Sequence, residues 1–350
     1  MSVSLNVSTC TLAQRGDFDE IIDVRSPSEF ADDHLPGARN CPVLNDEERH
    51  HVGLLYASSP FEARRRGAAL VARNIARALE TDLSTRPKQW RPLVYCWRGG
   101  MRSGSFVTWM RLIGWRAAQL HGGYKSWRRH ALAQLDALPP QFHWRVICGA
   151  TGSGKTRLLS VLREQGEQIL DLESLAAHKG SILGGRPGHV QPSQKKFETS
   201  LVCALETFDP DRVVYIEAES RKIGQRMLPD SLLAAMRAAE CVEIVPTLDA
   251  RLQFLLRDYR YLGDDPDYLC GRLVRLKGLV DNRTLDRWQM LAQRADLPEL
   301  FRELIERHYD PHYSRSQHRH FRALNDAMRF STDDLSEAAL QTLALRIRQS

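Results

Sequence analysis

The sequence predicts a two-domain α/β protein, each domain a parallel sheet with helices between its strands. Three observations predict it. The chain has 350 residues, more than the roughly 100–200 that one domain usually holds. Short apolar segments alternate with helix-like segments through much of it. Glycine-containing loops stand twice between a strand and a helix, once after Tyr95 and once after Cys148. Between them Leu138-Pro139-Pro140 breaks helix and reads as a linker. The expected domains are therefore 1–137 and 138–350, the second with a helical C-terminal part.

Composition narrows the class. The hydrophobic fraction, 43%, suits ordinary globular cores. The N-terminus shows no basic segment followed by an apolar run, so no signal peptide is expected. No apolar stretch approaches the roughly 18 residues that span a bilayer. The seven cysteines are scattered and never spaced CxxC, which argues against a disulfide framework and against a structural zinc site. A cytoplasmic protein with reduced thiols is expected, and the sequence leaves its oligomeric state open, a monomer among the options. The net charge of +6 permits an RNA or phosphorylated partner without requiring one.

In chain order, Glu20-Ile21-Ile22-Asp23-Val24 reads as a buried strand, and Arg25-Ser26-Pro27-Ser28-Glu29-Phe30 as a turn into a helix. His34-Leu35-Pro36-Gly37-Ala38 is a loop. Residues 61–80 have the alanine and arginine content of a helix. Leu93-Val94-Tyr95 is a short strand running into Cys96, the glycine loop, and a helix expected over Ser103–Ile113. A cysteine there meets unpaired backbone N–H groups and the positive end of a helix dipole, which lower a thiol pKa from about 8.5 and favour an anion. Arg98 and Arg102 strengthen both effects. Cys96 thus reads as a nucleophilic thiolate in an anion cradle. The plain alternative is a buried structural cysteine.

Four motifs in order resemble the rhodanese domain. They are Asp23 to Phe30, His34-Leu35-Pro36-Gly37-Ala38, Cys96 to Arg102, and Gly122-Gly123-Tyr124-x-x-Trp127. The resemblance covers about residues 15–135 and implies that Cys96 carries sulfur or selenium. The Cys-x5-Arg-Ser spacing also suits a cysteine phosphatase, or a donor with phosphate attached to sulfur or selenium.

Trp144-Arg145-Val146-Ile147-Cys148 is a strand that runs into Gly149-Ala150-Thr151-Gly152-Ser153-Gly154-Lys155-Thr156, with a helix expected from Arg157 to Glu164. This is the phosphate-binding P-loop, GxxxxGK[ST], in its required context. Gly149, Gly152, Ser153 and Gly154 allow N–H groups to face phosphate, Lys155 adds a point charge, and the Thr156 hydroxyl is placed to hold Mg2+. The metal-holding carboxylate is open between Asp171, after Gln168-Ile169-Leu170, and Glu217 or Glu219, after Arg212-Val213-Val214-Tyr215-Ile216. A loop of this kind reads phosphate geometry, so a nucleotide or another diphosphate would serve. The 177–186 loop and Glu219-Ser220-Arg221-Lys222 are basic stretches that can close on phosphates, and each also reads as an ordinary loop.

Beyond Leu248 the pattern turns helical. Arg272, Arg275 and Lys277 share roughly one face, and residues 308–322, with Tyr313 and Arg315, mix basic and aromatic side chains. Such mixtures suit RNA, while a solvated face explains each residue alone. The histidines there have no suitably spaced cysteine or carboxylate, so no metal site is expected from them.

The combination resembles the bacterial tRNA 2-selenouridine synthase family over essentially the whole chain. The matching residues include Tyr95 to Ser103, Gly149 to Thr156, His178-Lys179-Gly180-Ser181, Glu219 to Gly224, and Tyr309-Asp310-Pro311-x-Tyr313. The resemblance implies a transferase acting on wobble 2-thiouridine of tRNAs for lysine, glutamate and glutamine. It implies replacement of sulfur by selenium from selenophosphate, geranylation of that sulfur by geranyl diphosphate, and no prosthetic group. The rival readings are a cysteine phosphatase or sulfurtransferase fused to a nucleotide-binding, kinase-like domain, and a non-catalytic RNA-binding sensor.

Overall fold

The computed structural model describes residues 8–181, 183–185, 188–313 and 321–350. The chain divides into two units, Met1–Gln134 and Leu135–Ser350. The division falls inside the helix Tyr124–Ala137, just ahead of the expected linker, where Pro139–Gln141 forms one 3-10 turn.

The first unit is built on strands β1 (Thr9–Cys10), β2 (Glu20–Asp23), β3 (Ala38–Asn40), β4 (Pro92–Tyr95) and β5 (Ala118–Leu120). Their order is β1-β5-β4-β2-β3, and every neighbouring pair is parallel. All four residues of β4 are buried, as expected of a central strand covered on both faces. Helices α1 (Pro27–Asp32), α2 (Asp46–Ser58), α3 (Pro60–Glu80), α4 (Met101–Ile113) and α5 (Tyr124–Ala137) surround the sheet. Ser26 and Glu29 form a capping box that starts α1. The core joins Ile22 and Val94 of the sheet to Ile75 of α3 and to Phe106, Val107 and Met110 of α4. Helix α4 begins at Met101, two residues before the expected start, so the dipole end lies closer to Cys96.

The second unit opens with β6 (His143–Cys148), α6 (Lys155–Glu164), β7 (Gln168–Leu170), α7 (Leu172–Ala176) and α8 (Gln194–Leu205). It continues through β8 (Val213–Glu217), the two-stranded ribbon β9 (Lys222–Ile223) and β10 (Arg226–Met227), α9 (Asp230–Ala238) and β11 (Glu240–Pro246). Four helices follow: α10 (Leu248–Asp258), α11 (Pro266–Leu273), α12 (Asn282–Gln293) and α13 (Leu297–Leu304). The chain then returns to the sheet as β12 (Met328–Thr332), a strand the sequence pattern did not suggest, and ends in the helix Glu337–Gln349. The sheet order is β12-β11-β6-β8-β7, all parallel. The chain winds one way from β6 and then the other, which opens a crevice at the carboxyl end of β6. Among the described residues this unit shows two core clusters. One lies between the sheet, α6 and the C-terminal helix. The other lies within the 252–305 helices, around Trp288 and Phe301.

Candidate active sites

Cys96 ends the buried strand β4 and is 4% exposed. Its Sγ accepts hydrogen bonds from the Gly100 N–H at 3.3 Å and the Ser103 hydroxyl at 3.2 Å. Burial pushes the thiol up. The Ser103 hydroxyl and amide, the Arg102 guanidinium and the Gly100 N–H outweigh that and hold it below its ordinary value. Gln119 donates to the Ser103 hydroxyl at 2.7 Å and to the Gly100 carbonyl at 2.9 Å, so the hydroxyl is aimed at the sulfur. Arg102 is bound by Glu29 at 2.7 Å, while Arg98 is exposed on the loop. Cys96 and Arg102 are thus brought together, whereas Arg98 is on the same loop but not among the groups that act on the thiol.

The closing glycine motif acts as a buttress for this loop. The Tyr124 N–H donates to the Cys96 carbonyl at 2.8 Å, and the Lys125 N–H to the Trp97 carbonyl at 3.1 Å. Gly123 has a φ of +57°, and a Cβ there would stand 2.3 Å from the Cys96 carbonyl oxygen. Only glycine permits that approach. Behind it the Tyr124 hydroxyl donates to Asp33 at 2.8 Å, and the Arg25 guanidinium lies 4.1 Å from the Tyr124 ring centre. Arg25 is buried and paired with Asp23, which ties the opening motif to the closing one.

In the second unit the loop after β6 lines a cavity of about 690 Å³. Gly152, Ser153, Gly154, Lys155 and Thr156 face it. Gly149 lies at the loop's base, its N–H donating to the Tyr313 hydroxyl at 2.5 Å. A Cβ on Gly149, with φ +154°, would meet the Ile244 carbonyl at 2.9 Å. The Lys155 ammonium caps the Gly149 carbonyl at 2.7 Å.

Two of the candidate carboxylates, Glu217 and Glu219, belong to a cluster beside Thr156. The Thr156 hydroxyl is 2.9 Å from Glu173 and 3.0 Å from Glu217, and Glu217 also accepts the Glu173 N–H at 3.0 Å. Glu173, Glu217 and Glu219 offer oxygens that all lie within 4.8 Å of one another. Burial, and then mutual repulsion, push Glu217 and Glu173 well above the usual carboxylate range. Burial also raises Glu219, against the pull of Lys155. An all-oxygen donor set of this charge fits a hard divalent cation. Asp171 lines the cavity, but its side chain accepts from the Ser174 N–H at 2.8 Å as the cap of α7. Glu173, in the first turn of α7, has no signal of its own in the sequence.

Segment 305–313 forms part of the same wall. Arg251 of α10 donates to the Thr151 carbonyl at 2.9 Å and makes a two-pronged bond to Asp310. Tyr309, His312 and Tyr313 line the cavity. Tyr313, expected on an RNA-contacting surface, instead lies at the phosphate loop. Phe254, Leu255 and Tyr259 give the cavity an apolar side. A narrow apolar slot continues from there between Leu183, Phe301, Leu304 and Ile305.

The remaining expected residues lie elsewhere. Arg221 is exposed and paired with Asp230, and Lys222 is exposed on β9, so neither lines the cavity. Arg272 is half-buried over the Tyr268 ring, while Arg275 and Lys277 are exposed. Arg315 lies outside the described residues, as do Ile182 and Arg186 of the 177–186 loop. Among the described residues no helix is long and apolar enough to cross a membrane.

Comparison with known proteins agrees with this arrangement. The tRNA 2-selenouridine synthase AAA domain family matches residues 142–264, and the rhodanese-like domain family matches residues 11–130. A tRNA 2-selenouridine synthase of Alcanivorax borkumensis is 35% identical over 327 residues, which cover 84% of this chain and 88% of the relative. One of Aeromonas salmonicida is 34% identical over 323 residues, 84% and 86% of the two chains. One of Cupriavidus necator is 35% identical over 331 residues, 84% and 87%. With both domains matched in order and relatives at this identity matched over 84% or more of both chains, the chain belongs to the tRNA 2-selenouridine synthase family.

Proposed function

We propose that the chain converts wobble 2-thiouridine of tRNAs for lysine, glutamate and glutamine to 2-selenouridine with selenophosphate, through an S-geranyl intermediate made from geranyl diphosphate. The observation that carries this reading is that one chain holds both a thiol kept below its ordinary pKa by hydrogen-bond donors and a cavity that has the glycine loop on one side and apolar residues on another. A thiocarbonyl sulfur leaves poorly as bare sulfide, and alkylation turns it into a better leaving group. In the first step the thione sulfur bonds to the first carbon of the geranyl group. The carbon–oxygen bond to diphosphate breaks, and the base loses its N3 proton. Lys155 and the loop N–H groups bind the departing diphosphate, and Phe254, Leu255, Tyr259 and Tyr309 face the chain. Thr156, Glu173, Glu217 and Glu219 would hold Mg2+, which neutralises diphosphate charge when bound.

In the second step selenium replaces geranylthiol at the base, and water takes the phosphoryl group to give inorganic phosphate. Cys96 serves this step as attacking thiolate: its sulfur bonds to phosphorus and releases selenide, which displaces geranylthiol at the base, and water then cleaves the sulfur–phosphorus bond, with Arg98 and Arg102 on the same loop. The test is mass spectrometry of nucleosides from thiolated tRNA incubated with geranyl diphosphate, selenophosphate, or both. The expected products are the geranylated nucleoside in the first tube and the selenonucleoside in the third. Unchanged nucleosides with hydrolysis of a phosphate ester would establish the phosphatase reading instead.

A further inference from the structure

Charge in the first unit is segregated. Residues 1–82 hold nine Lys or Arg against thirteen Asp or Glu. Between Asp82 and Asp136 there are ten Lys or Arg and no acidic residue at all. That stretch contains β4, the Cys96 loop, α4, β5 and most of α5. Folding concentrates part of it around the cysteine. The bonds from Tyr124 and Lys125 to the Cys96 and Trp97 carbonyls join residues 97–100 and 122–129 into one rim. Arg98, Lys125 and Arg129 are exposed on it. The Arg129 guanidinium lies 3.6 Å from where a Gly122 Cβ would stand.

These three cations have no hydrogen-bond or ion-pair partner among the described residues. The acids nearest the site are already engaged: Glu29 by Arg102, Asp33 by Tyr124 and Asp23 by Arg25. Half-buried Trp97 sits within the rim, its ring centre 5.2 Å from that of Tyr124. A small dianionic donor needs one or two cations. Three unpaired cations and a half-buried aromatic ring, carried on the two joined loops that flank a buried nucleophile, match a longer polyanion with one unstacked base.

We propose that Arg98, Lys125 and Arg129, with Trp97 as a stacking platform, form the surface on which a single-stranded RNA element docks, seating one nucleotide over Cys96. The inference rests on the proposed function and assigns the RNA contact to residues of the first unit instead of Arg272, Arg275 and Lys277 of the second.

The test is tRNA binding by fluorescence anisotropy across a salt series, for wild type, Lys125→Ala/Arg129→Ala and Lys125→Arg/Arg129→Lys. Loss of two phosphate contacts should flatten the log–log salt slope by about 1.5 and weaken binding about tenfold or more at moderate salt. The charge-retaining variant should keep most of both, and equal melting temperatures exclude misfolding. In wild type, bound tRNA should protect Cys96 from iodoacetamide. Unchanged affinity and slope in the alanine variant, or no protection of Cys96, overturns the proposal. Failure of wild type to bind tRNA at all would sink the proposed function with it, so the two failures are separable.

Discussion

The two sites share a plan and differ in sign. Each is a parallel strand, a glycine loop and a helix N-terminus, the arrangement that leaves N–H groups free for an anion. In the first unit the side chain delivered is a thiol, and its surroundings are donors and cations: Ser103, Gly100 and Arg102. The thiol is therefore held below its ordinary value despite burial. In the second unit the loop lies against three carboxylates, Glu173, Glu217 and Glu219, which raise one another's affinity for protons. One site is ready as it stands for a nucleophile's work. The other is over-supplied with negative charge and calls for a cation before it meets a diphosphate. The same backbone geometry serves opposite chemistry because the residues behind the loop set the local potential.

The sharpest break of the comparison is a crossover of variants. Cys96→Ala should reduce selenation by at least about 1000-fold, as removal of a nucleophile does, and leave geranylation intact. Lys155→Ala should lower geranylation about 100-fold or more while leaving Cys96 alkylation unchanged. Both are read by nucleoside mass spectrometry and peptide mapping. If either variant loses both activities in proportion, the two sites are not separate.

Smaller effects sharpen the picture of the first site. Gly123→Ala puts a side chain at φ +57° against the Cys96 carbonyl. It should cost about 1–3 kcal/mol in urea unfolding and slow Cys96 alkylation. Ser103→Ala removes the hydroxyl that stabilises the thiolate. The midpoint of the alkylation-versus-pH curve, below 9.0 in wild type, should then rise by up to about one unit. Glu29→Gln leaves Arg102 without its counter-charge. It should move the same midpoint down by a few tenths of a unit. A shift in the other direction would mean that Glu29 matters by positioning Arg102 and not by neutralising it.

The sequence carried the local parts of both sites well. Cys96 and the Gly149 to Thr156 loop are contiguous motifs, and strand-to-helix context was enough to read them. Glu217 was legible as the last residue of an apolar strand, though its burial was not. What depended on distant segments was hidden. Glu173 reaches Thr156 only because α7 follows β7 beside β8, and Arg251 meets Asp310 only because the 252–305 helices fold back over the loop. Tyr313 looked like a surface aromatic among basic residues, since nothing local reveals a partner 164 residues away in the chain. Asp171 was legible as a strand-end acid, but not its use of one oxygen to cap the helix that begins at Leu172, which a local pattern of three apolar residues does not reveal.

The division of labour is tested most directly by supplying the intermediate. Thiolated tRNA geranylated beforehand is given to Lys155→Ala with selenophosphate and no geranyl diphosphate. The account predicts selenonucleoside at the wild-type rate, because the second unit's step has already been done, and none with Cys96→Ala. Failure of Lys155→Ala to convert that substrate would contradict it, since the phosphate loop would then be needed for the selenium step itself.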